Sequence, residues 1–173
     1  MKTVVGVMGS GRAITEAERV RAHHLGALIA SRGWVLLTGG SAAGVMDAAS
    51  QGAHEAGGLV VGVLRSDHGA EASPHLDVAI RTGMGEARNV INVLSSDVVI
   101  ALPGGAGTLS EVALALKAEK TVIILGWDPG TALQTTREGH LLRADTPEDA
   151  IALAAHGLAN RDDTTVFHQG SSH

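Results

Sequence analysis

The chain has no cysteine among its 173 residues. Disulfide bridges and thiolate zinc sites are therefore excluded. Aromatic residues are nearly as scarce, with two Trp, one Phe and no Tyr. Basic charge is not in excess: the formal net charge is −5, which argues against a nucleic-acid partner. No apolar run reaches the roughly 20 residues needed to cross a bilayer, and charges interrupt every candidate, so no membrane partner is expected. Met1-Lys2 leads straight into a β-branched run without a signal-peptide pattern, and a cytoplasmic protein is expected. The nine histidines form no metal-ligand spacing: His23-His24 are adjacent, His54-Glu55 lacks a second His one turn on, and His68, His75 and His140 fall in loops. No metal site is expected.

What the chain does have is glycine, 23 residues of it, and a hydrophobic content of 45% built on Ala, Val and Leu. Short β-branched runs alternate with longer Ala-rich ones, the pattern of repeated βαβ units. Strands are expected at Thr3–Met8, Trp34–Thr38, Leu59–Leu64, Leu76–Arg81, Asp97–Leu102 and Thr121–Leu125, with a weak one at His140–Arg143. Helices are expected from a Thr15/Glu18 capping box to Gly33, from Val45 to Ala56, from Glu86 to Ser96, after the glycine run to about Glu119, and from Thr146 to about Ala159. The fold class is α/β: a Rossmann-like, doubly wound, mainly parallel sheet with helices on both faces, in a single domain over residues 1–159. The polar stretch 160–173 reads as a flexible tail.

Glycine loops follow the first, second and fifth strands. In a doubly wound sheet these carboxyl ends share one edge. If the chain crosses over after the early strands, the first and fifth strands become neighbours and their loops flank the switch-point crevice. That sets Gly9-Ser10-Gly11-Arg12 opposite Pro103-Gly104-Gly105-Ala106-Gly107-Thr108. The second run reads as a phosphate seat: glycines allow close backbone approach, the free amides of the following helix favour an anion, and Thr108 adds a hydroxyl. Neither loop is a standard fingerprint. Ile14 stands where a dinucleotide loop needs its third glycine, and no Lys completes a Walker loop. Nicotinamide chemistry and ATP hydrolysis are disfavoured.

Arg88 stands in the first turn of an expected helix, where the dipole disfavours a cation, so it needs a local partner: a ligand phosphate, Glu86 or Glu111. Glu111 lies about one turn into the helix after the glycine run. Asp47 has a similar place after Gly44. Met46 and Met84 flank glycine loops, where packing is the simpler role. Ten of the thirteen cations are Arg, which suits forked recognition of phosphate, as codon usage would also explain.

Taken together, Gly39-Gly40 through Gly44-Val45-Met46, the Arg88 segment and Pro103 to Glu111 resemble the LOG (LONELY GUY) superfamily, nucleoside 5′-monophosphate phosphoribohydrolases with Rossmann-like folds. Pro103, Gly104, Gly105, Gly107, Thr108 and Glu111 match its P-G-G-x-G-T-x-x-E signature, and Arg88 stands at the family's upstream spacing. The segments Thr82 to Asn89 and Gly44 to Asp47 are more similar to its molybdenum-cofactor carrier branch. The resemblance implies a ligand site of Gly9, Ser10, Gly11, Arg12, Gly39, Gly40, Met84 and Pro103 to Thr108, with Arg88 and Glu111 as the catalytic pair if there is chemistry. It also implies a homo-oligomer, dimer or tetramer, for which the apolar face of Val112–Leu116 is a candidate.

Two functions remain open at this level. The first is a carrier that binds a phosphorylated pterin or nucleotide, such as molybdenum cofactor or AMP. The second is a phosphoribohydrolase that needs no cofactor and releases free base and ribose 5-phosphate, with Glu111 stabilising oxocarbenium character on the ribose or positioning water.

Overall fold

The computed structural model describes residues 1–133 and 141–166. The expected strand start at His140, and residues 167–173 of the expected tail, lie outside the described residues. Strands β1 (Val4–Met8), β2 (Val35–Thr38), β3 (Val60–Leu64), β4 (Val78–Arg81), β5 (Val98–Ala101), β6 (Thr121–Leu125) and β7 (Leu141–Ala144) form one sheet in the order β4-β3-β2-β1-β5-β6-β7. All six ladders are parallel. An isolated antiparallel bridge joins Ser41 to Ala72 outside them. The order reverses at β1, which pairs with both β2 and β5 (Val5 opposite Val98, Met8 opposite Ala101). The switch point therefore falls where the glycine loops place it.

The helices are α1 (Glu16–Ser31), α2 (Gly44–Glu55), α3 (Asn89–Leu94), α4 (Ala106–Lys117) and α5 (Pro147–Val166). Strand side chains alternate between two cores, as the pleat requires. On one face Val5, Val7, Leu36, Val60, Ile100 and Ile123 pack under α1, α2 and α5. On the other, Met8, Leu37, Val63, Val99 and Ile124 pack under α3 and α4. Because both faces of the inner strands are covered, β1, β2, β3, β5 and β6 are buried along most of their length rather than alternating, whereas the edge strand β4 is exposed. Among the described residues, no helix is long and apolar enough to cross a membrane.

Three boundaries differ from expectation. The expected helix Glu86–Ser96 divides into a 3₁₀ turn, Gly85–Arg88, and the short α3. Gly83 and Gly85, at φ +64° and +57°, force the chain into that tighter entry. Helix α4 begins inside the glycine run, at Ala106. Helix α5 continues to Val166, seven residues beyond the expected end at Ala159, so residues 160–166 are helical.

Small residues let α1 and α2 lie close together. A Cβ on Gly26 would stand 2.0 Å from the Ala49 carbonyl oxygen, and one on Gly52 would stand 1.9 Å from that of His23. Both obstacles are backbone, so neither can turn aside. Gly26→Ala is expected to destabilise the protein by about 3 kcal/mol, the upper end of the usual overpacking cost. Thermal unfolding checks this, with a Tm lowered by roughly 6–12 °C for a chain of this size.

Candidate functional site

The carboxyl ends of β1, β2 and β5 open into a cleft of about 790 Å³. Backbone hydrogen bonds fasten its rim. The Ser10 N–H donates to the Pro103 carbonyl at 3.1 Å, and the Ser10 carbonyl accepts from the Val45 N–H at 2.9 Å. A Cβ on Gly9 would meet Val45 at 2.6 Å, and one on Gly44 (φ +63°) would meet the Ser10 carbonyl oxygen at 2.2 Å. The first loop can lie against the start of α2 only because both positions lack a side chain.

On the far side of the cleft, α4 starts with no side-chain cap: its N-cap is Gly105, and no acid stands in its first turn. The amides of Ala106, Gly107 and Thr108 therefore sit at the positive end of the dipole without a side chain answering them. A Cβ on Gly105 would meet nothing within 4 Å, so the approach is open. This arrangement can hold an anion.

Arg88 and Glu111 form the floor. Arg88 Nη1 lies 3.4 Å from Glu111 Oε1, and the residues are 5% and 6% exposed. The Arg88 guanidinium lies over bare backbone: a Cβ on Gly39 would stand 2.5 Å from Nη2. Asn92, one turn beyond Arg88, donates to Glu111 Oε1 at 2.7 Å. Asn89 steadies the start of α4 by donating to Ser110 Oγ at 2.9 Å, and Ser110 donates to the Gly107 carbonyl. Burial pushes the Glu111 carboxyl above the usual carboxylate range, opposed by the Asn92 hydrogen bond and the Arg88 charge. Burial likewise lowers the Arg88 guanidinium from its ordinary value, against the opposing pull of Glu111 and Glu86. Arg88 Nε is buried with no hydrogen-bond partner.

Of the expected site residues, Gly9, Ser10, Gly11, Arg12, Gly39, Arg88, Gly105, Ala106, Gly107, Thr108 and Glu111 line the cleft. Four others, Gly40, Met84, Pro103 and Gly104, do not line it. Gly40, at φ +75°, packs on Leu64 and the Gly62 Cα of β3. Met84 is 50% exposed, because the turn built on Gly83 and Gly85 directs it outward. Pro103 contributes its carbonyl to Ser10 behind the rim, and Gly104 is covered by the Thr108 side chain, whose Oγ1 would stand 2.1 Å from a Cβ there. Arg88 itself is buried, not exposed as a first-turn Arg suggests. Asp47 does not reach the cleft; it accepts from Ser73 Oγ at 2.6 Å and pins the loop after β3.

Residues not singled out in the sequence also take part. Arg65 follows β3 at the shared sheet edge and pairs with Glu86 at 2.9 Å, and both line the cleft. Its place directly after a strand was the available signal. Asn92 was legible only as the residue four beyond Arg88 on one helix face. Among the described residues, no three His, Cys, Asp or Glu side chains gather as a metal site.

The sequence profile of the SLOG cluster4 family matches residues 2–151. The chain is similar to the molybdenum cofactor binding protein of Rippkaea orientalis, with 49% identity, a TM-score of 0.84, and 90% of this chain and 97% of that one covered. It is similar to the Moco carrier protein of Chlamydomonas reinhardtii, with 44% identity, a TM-score of 0.85, and 92% and 99% covered. It is also 36% identical over 107 residues to the cytokinin riboside 5′-monophosphate phosphoribohydrolase of Mycobacterium tuberculosis, spanning 57% of this chain and 54% of that protein.

The buried pair sets a pH-dependent stability. A carboxyl that titrates higher in the folded than in the unfolded state favours folding most at low pH, and that contribution declines as pH rises through the folded value. Arg88→Met removes the opposing charge and raises Glu111 further. The variant is expected to lose about 3–5 kcal/mol at pH 8 and less at pH 5, because the raised carboxyl sheds its charge more readily as pH falls. Urea unfolding of both proteins at the two pH values checks it.

Proposed function

The chain belongs to the SLOG cluster4 family, and from that premise we propose that it is a carrier that binds a small phosphorylated ligand in the switch-point cleft: molybdenum cofactor, or an AMP-like nucleotide. The observation that carries this reading is the uncapped start of α4 facing the Ser10 loop across the cleft. A terminal phosphate fits there, answered by the amides of Ala106 to Thr108 and reached by Arg12 from the opposite rim. The attached pterin or base then lies within the cleft, above the Arg88–Glu111 floor. The donor set suits this cargo: amides and guanidinium groups hold phosphate, whereas no gathered metal ligands are present among the described residues. The similarity to cofactor-binding and carrier proteins over nine-tenths of the chain supports the same ligand class.

Holding without turnover fits the state of Glu111. Its Oε1 takes both the Asn92 and Arg88 contacts, so the carboxylate is tied to the floor. The second reading, a phosphoribohydrolase, draws on the same pair. A buried carboxylate beneath a bound ribose could stabilise oxocarbenium character as the base departs, with phosphate binding fixing the sugar above it. This reading requires release of adenine from AMP, lost in Glu111→Gln with binding retained. The carrier reading expects AMP bound and no adenine released.

The setting we propose is a cytoplasmic homo-oligomer. The face expected to mediate assembly is mostly turned inward: Val112, Ala115 and Leu116 are buried on the sheet side of α4. Its outer neighbours are apolar instead. Val90 and Leu94 lie one turn apart on α3 and are 42% and 62% exposed, and Leu109 of the adjoining α4 is 37% exposed.

The phosphate seat is tested by Gly105→Asp. The position is open and extended enough to accept a side chain, and an Asp N-cap satisfies the α4 amides itself. Stability is expected to hold or rise by about a few tenths of a kcal/mol, while calorimetric affinity for AMP falls at least tenfold, about 1.4 kcal/mol. Unchanged affinity would place the phosphate elsewhere. For the assembly, Leu94→Glu is expected to shift the sedimentation coefficient toward the monomer without lowering the Tm by more than about 2 °C, as for other surface changes.

A further inference from the structure

Asn92 meets Glu111 from inside the protein. Its side chain is fully buried, and Nδ2 donates to Glu111 Oε1 at 2.7 Å. The other end of the amide, Oδ1, is buried with no hydrogen-bond partner. The Ser96 hydroxyl does not answer it, because that group donates to the Asn92 backbone carbonyl. A buried acceptor left unanswered is costly. Placed on the neighbour of a buried carboxyl, it points to a second arrangement of the same two side chains.

An amide is nearly symmetric in shape and opposite in chemistry at its two ends. With Glu111 charged, Nδ2 donates to Oε1 and Oδ1 is left over. With Glu111 neutral, a half-turn of the amide lets an O–H on Oε1 donate to Oδ1. The half-turn exchanges atoms of similar size, so it needs no extra room in the packed floor. Burial favours the neutral carboxyl, whereas the Asn92 bond and the Arg88 charge favour the charged one. Few other charges face Glu111. Glu86 acts on it from the 3₁₀ turn, and Arg12 and Arg65 line the same cleft from the loops after β1 and β3. The α3 helix and strands β1 and β5 bring no titratable side chain, and Lys117 stands at the far end of α4.

An anion at the start of α4 shifts this balance. Glu111 stands on the second turn of that helix, roughly 8 Å along the axis from Ala106. A phosphomonoester carries roughly −1.5 to −2 at pH 7. It repels the carboxylate and shares the field of Arg88, so it favours the neutral form. Resting on the carrier reading, we propose that Asn92 is a positioning residue that receives Glu111 in either protonation state, and that the cleft takes up a proton on Glu111 Oε1 as it takes up an anionic ligand. The proton comes from solvent through the cleft, which Glu111 lines, and no bond of the ligand is made or broken. Because the ligand prefers the neutral carboxyl, this contribution to affinity is full at low pH. It declines as pH rises through the value of the free protein and levels off above that of the complex.

The test is calorimetric titration of AMP into the full chain between about pH 6 and 8, in pairs of buffers with different ionisation heats, which counts the protons taken up. AMP titrates in the same range, so each value is referred to Glu111→Gln, which keeps the ligand's own contribution and lacks that of the carboxyl. At its maximum the wild type is expected to take up about half a proton more per AMP than Glu111→Gln. At the upper pH Glu111→Gln is expected to bind AMP at least about threefold more tightly than the wild type. Asn92→Leu, close in volume, removes both ends of the amide. It is expected to move the Glu111 titration, followed by carbon-13 NMR of the carboxyl, to higher pH. A purely structural Asn92 would cost stability and leave that midpoint in place. The wild type makes the same point without substitution: the Asn92 side-chain amide resonances are expected to shift with the Glu111 midpoint. Equal proton uptake in wild type and Glu111→Gln, or Asn92 resonances that ignore the Glu111 titration, overturns the proposal while AMP binding leaves the carrier reading standing. Absence of binding by both AMP and inorganic phosphate overturns the carrier reading and the proton uptake with it.

Discussion

The backbone of one residue, Ser10, joins three strand ends. Its N–H donates to the loop after β5, and its carbonyl accepts from the Val45 amide in the first turn of α2. Parallel ladders fix the strands side by side, but they do not fix the loops beyond them. Without the Ser10 bonds the loops after β1, β2 and β5 would be free to splay, and the cleft walls would have no defined spacing. The glycines at 9 and 44 exist in this arrangement to allow those bonds. Each would place a Cβ into the neighbouring loop at under 3 Å. The width of the cleft, and hence the reach from Arg12 to the start of α4, follows from this one junction.

The floor works by a different constraint. A buried guanidinium is costly unless it is paired and its donors are answered. Glu111 provides the pair, Asn92 holds Glu111 in place, and Gly39 gives the guanidinium room above the backbone. The four residues come from the end of β2, the 3₁₀ turn, α3 and α4. Such a floor is expensive in stability and offers little in return except charge placed in a dry, defined position. That is the signature of a binding or reacting site more than of a core.

Much of this was legible in the sequence, and the reason is local. Strand, glycine run and Ala-rich helix follow one another in the chain, so their type and order can be read from neighbouring residues. The placing of β1 beside β5 was readable only on the condition that the chain crosses over after the early strands, as a doubly wound sheet does. The helix of α5 past Ala159 was not legible, because residues 160–166 lack apolar periodicity while carrying no helix-stopping Gly or Pro. The site divided in the same way. The amide seat lies within one short segment and could be read directly. The burial of Arg88, its seat on Gly39 and the Arg65–Glu86 pair join segments 21 to 49 residues apart, and no pattern within a segment reports them. Met84 and Gly40 show the converse: adjacency to a site segment in the chain does not bring a residue to the cleft wall.

The division between carrier and hydrolase turns on how a single carboxylate is used. A phosphoribohydrolase needs Glu111 negative and close to the ribose when the glycosidic bond breaks. Here burial drives the carboxyl toward its neutral form, while Asn92 and Arg88 draw it toward the charged one. Both stabilising partners meet the same oxygen, Oε1, which fixes the group to the floor. A catalytic carboxylate gains from such fixing only if its second oxygen faces the sugar; a carrier gains from it regardless, because a rigid floor lowers the ordering cost of binding. The buried Arg88–Glu111 pair is therefore compatible with binding alone or with binding followed by bond cleavage, and what separates the two readings is whether a bound ribose would lie against the second oxygen of Glu111.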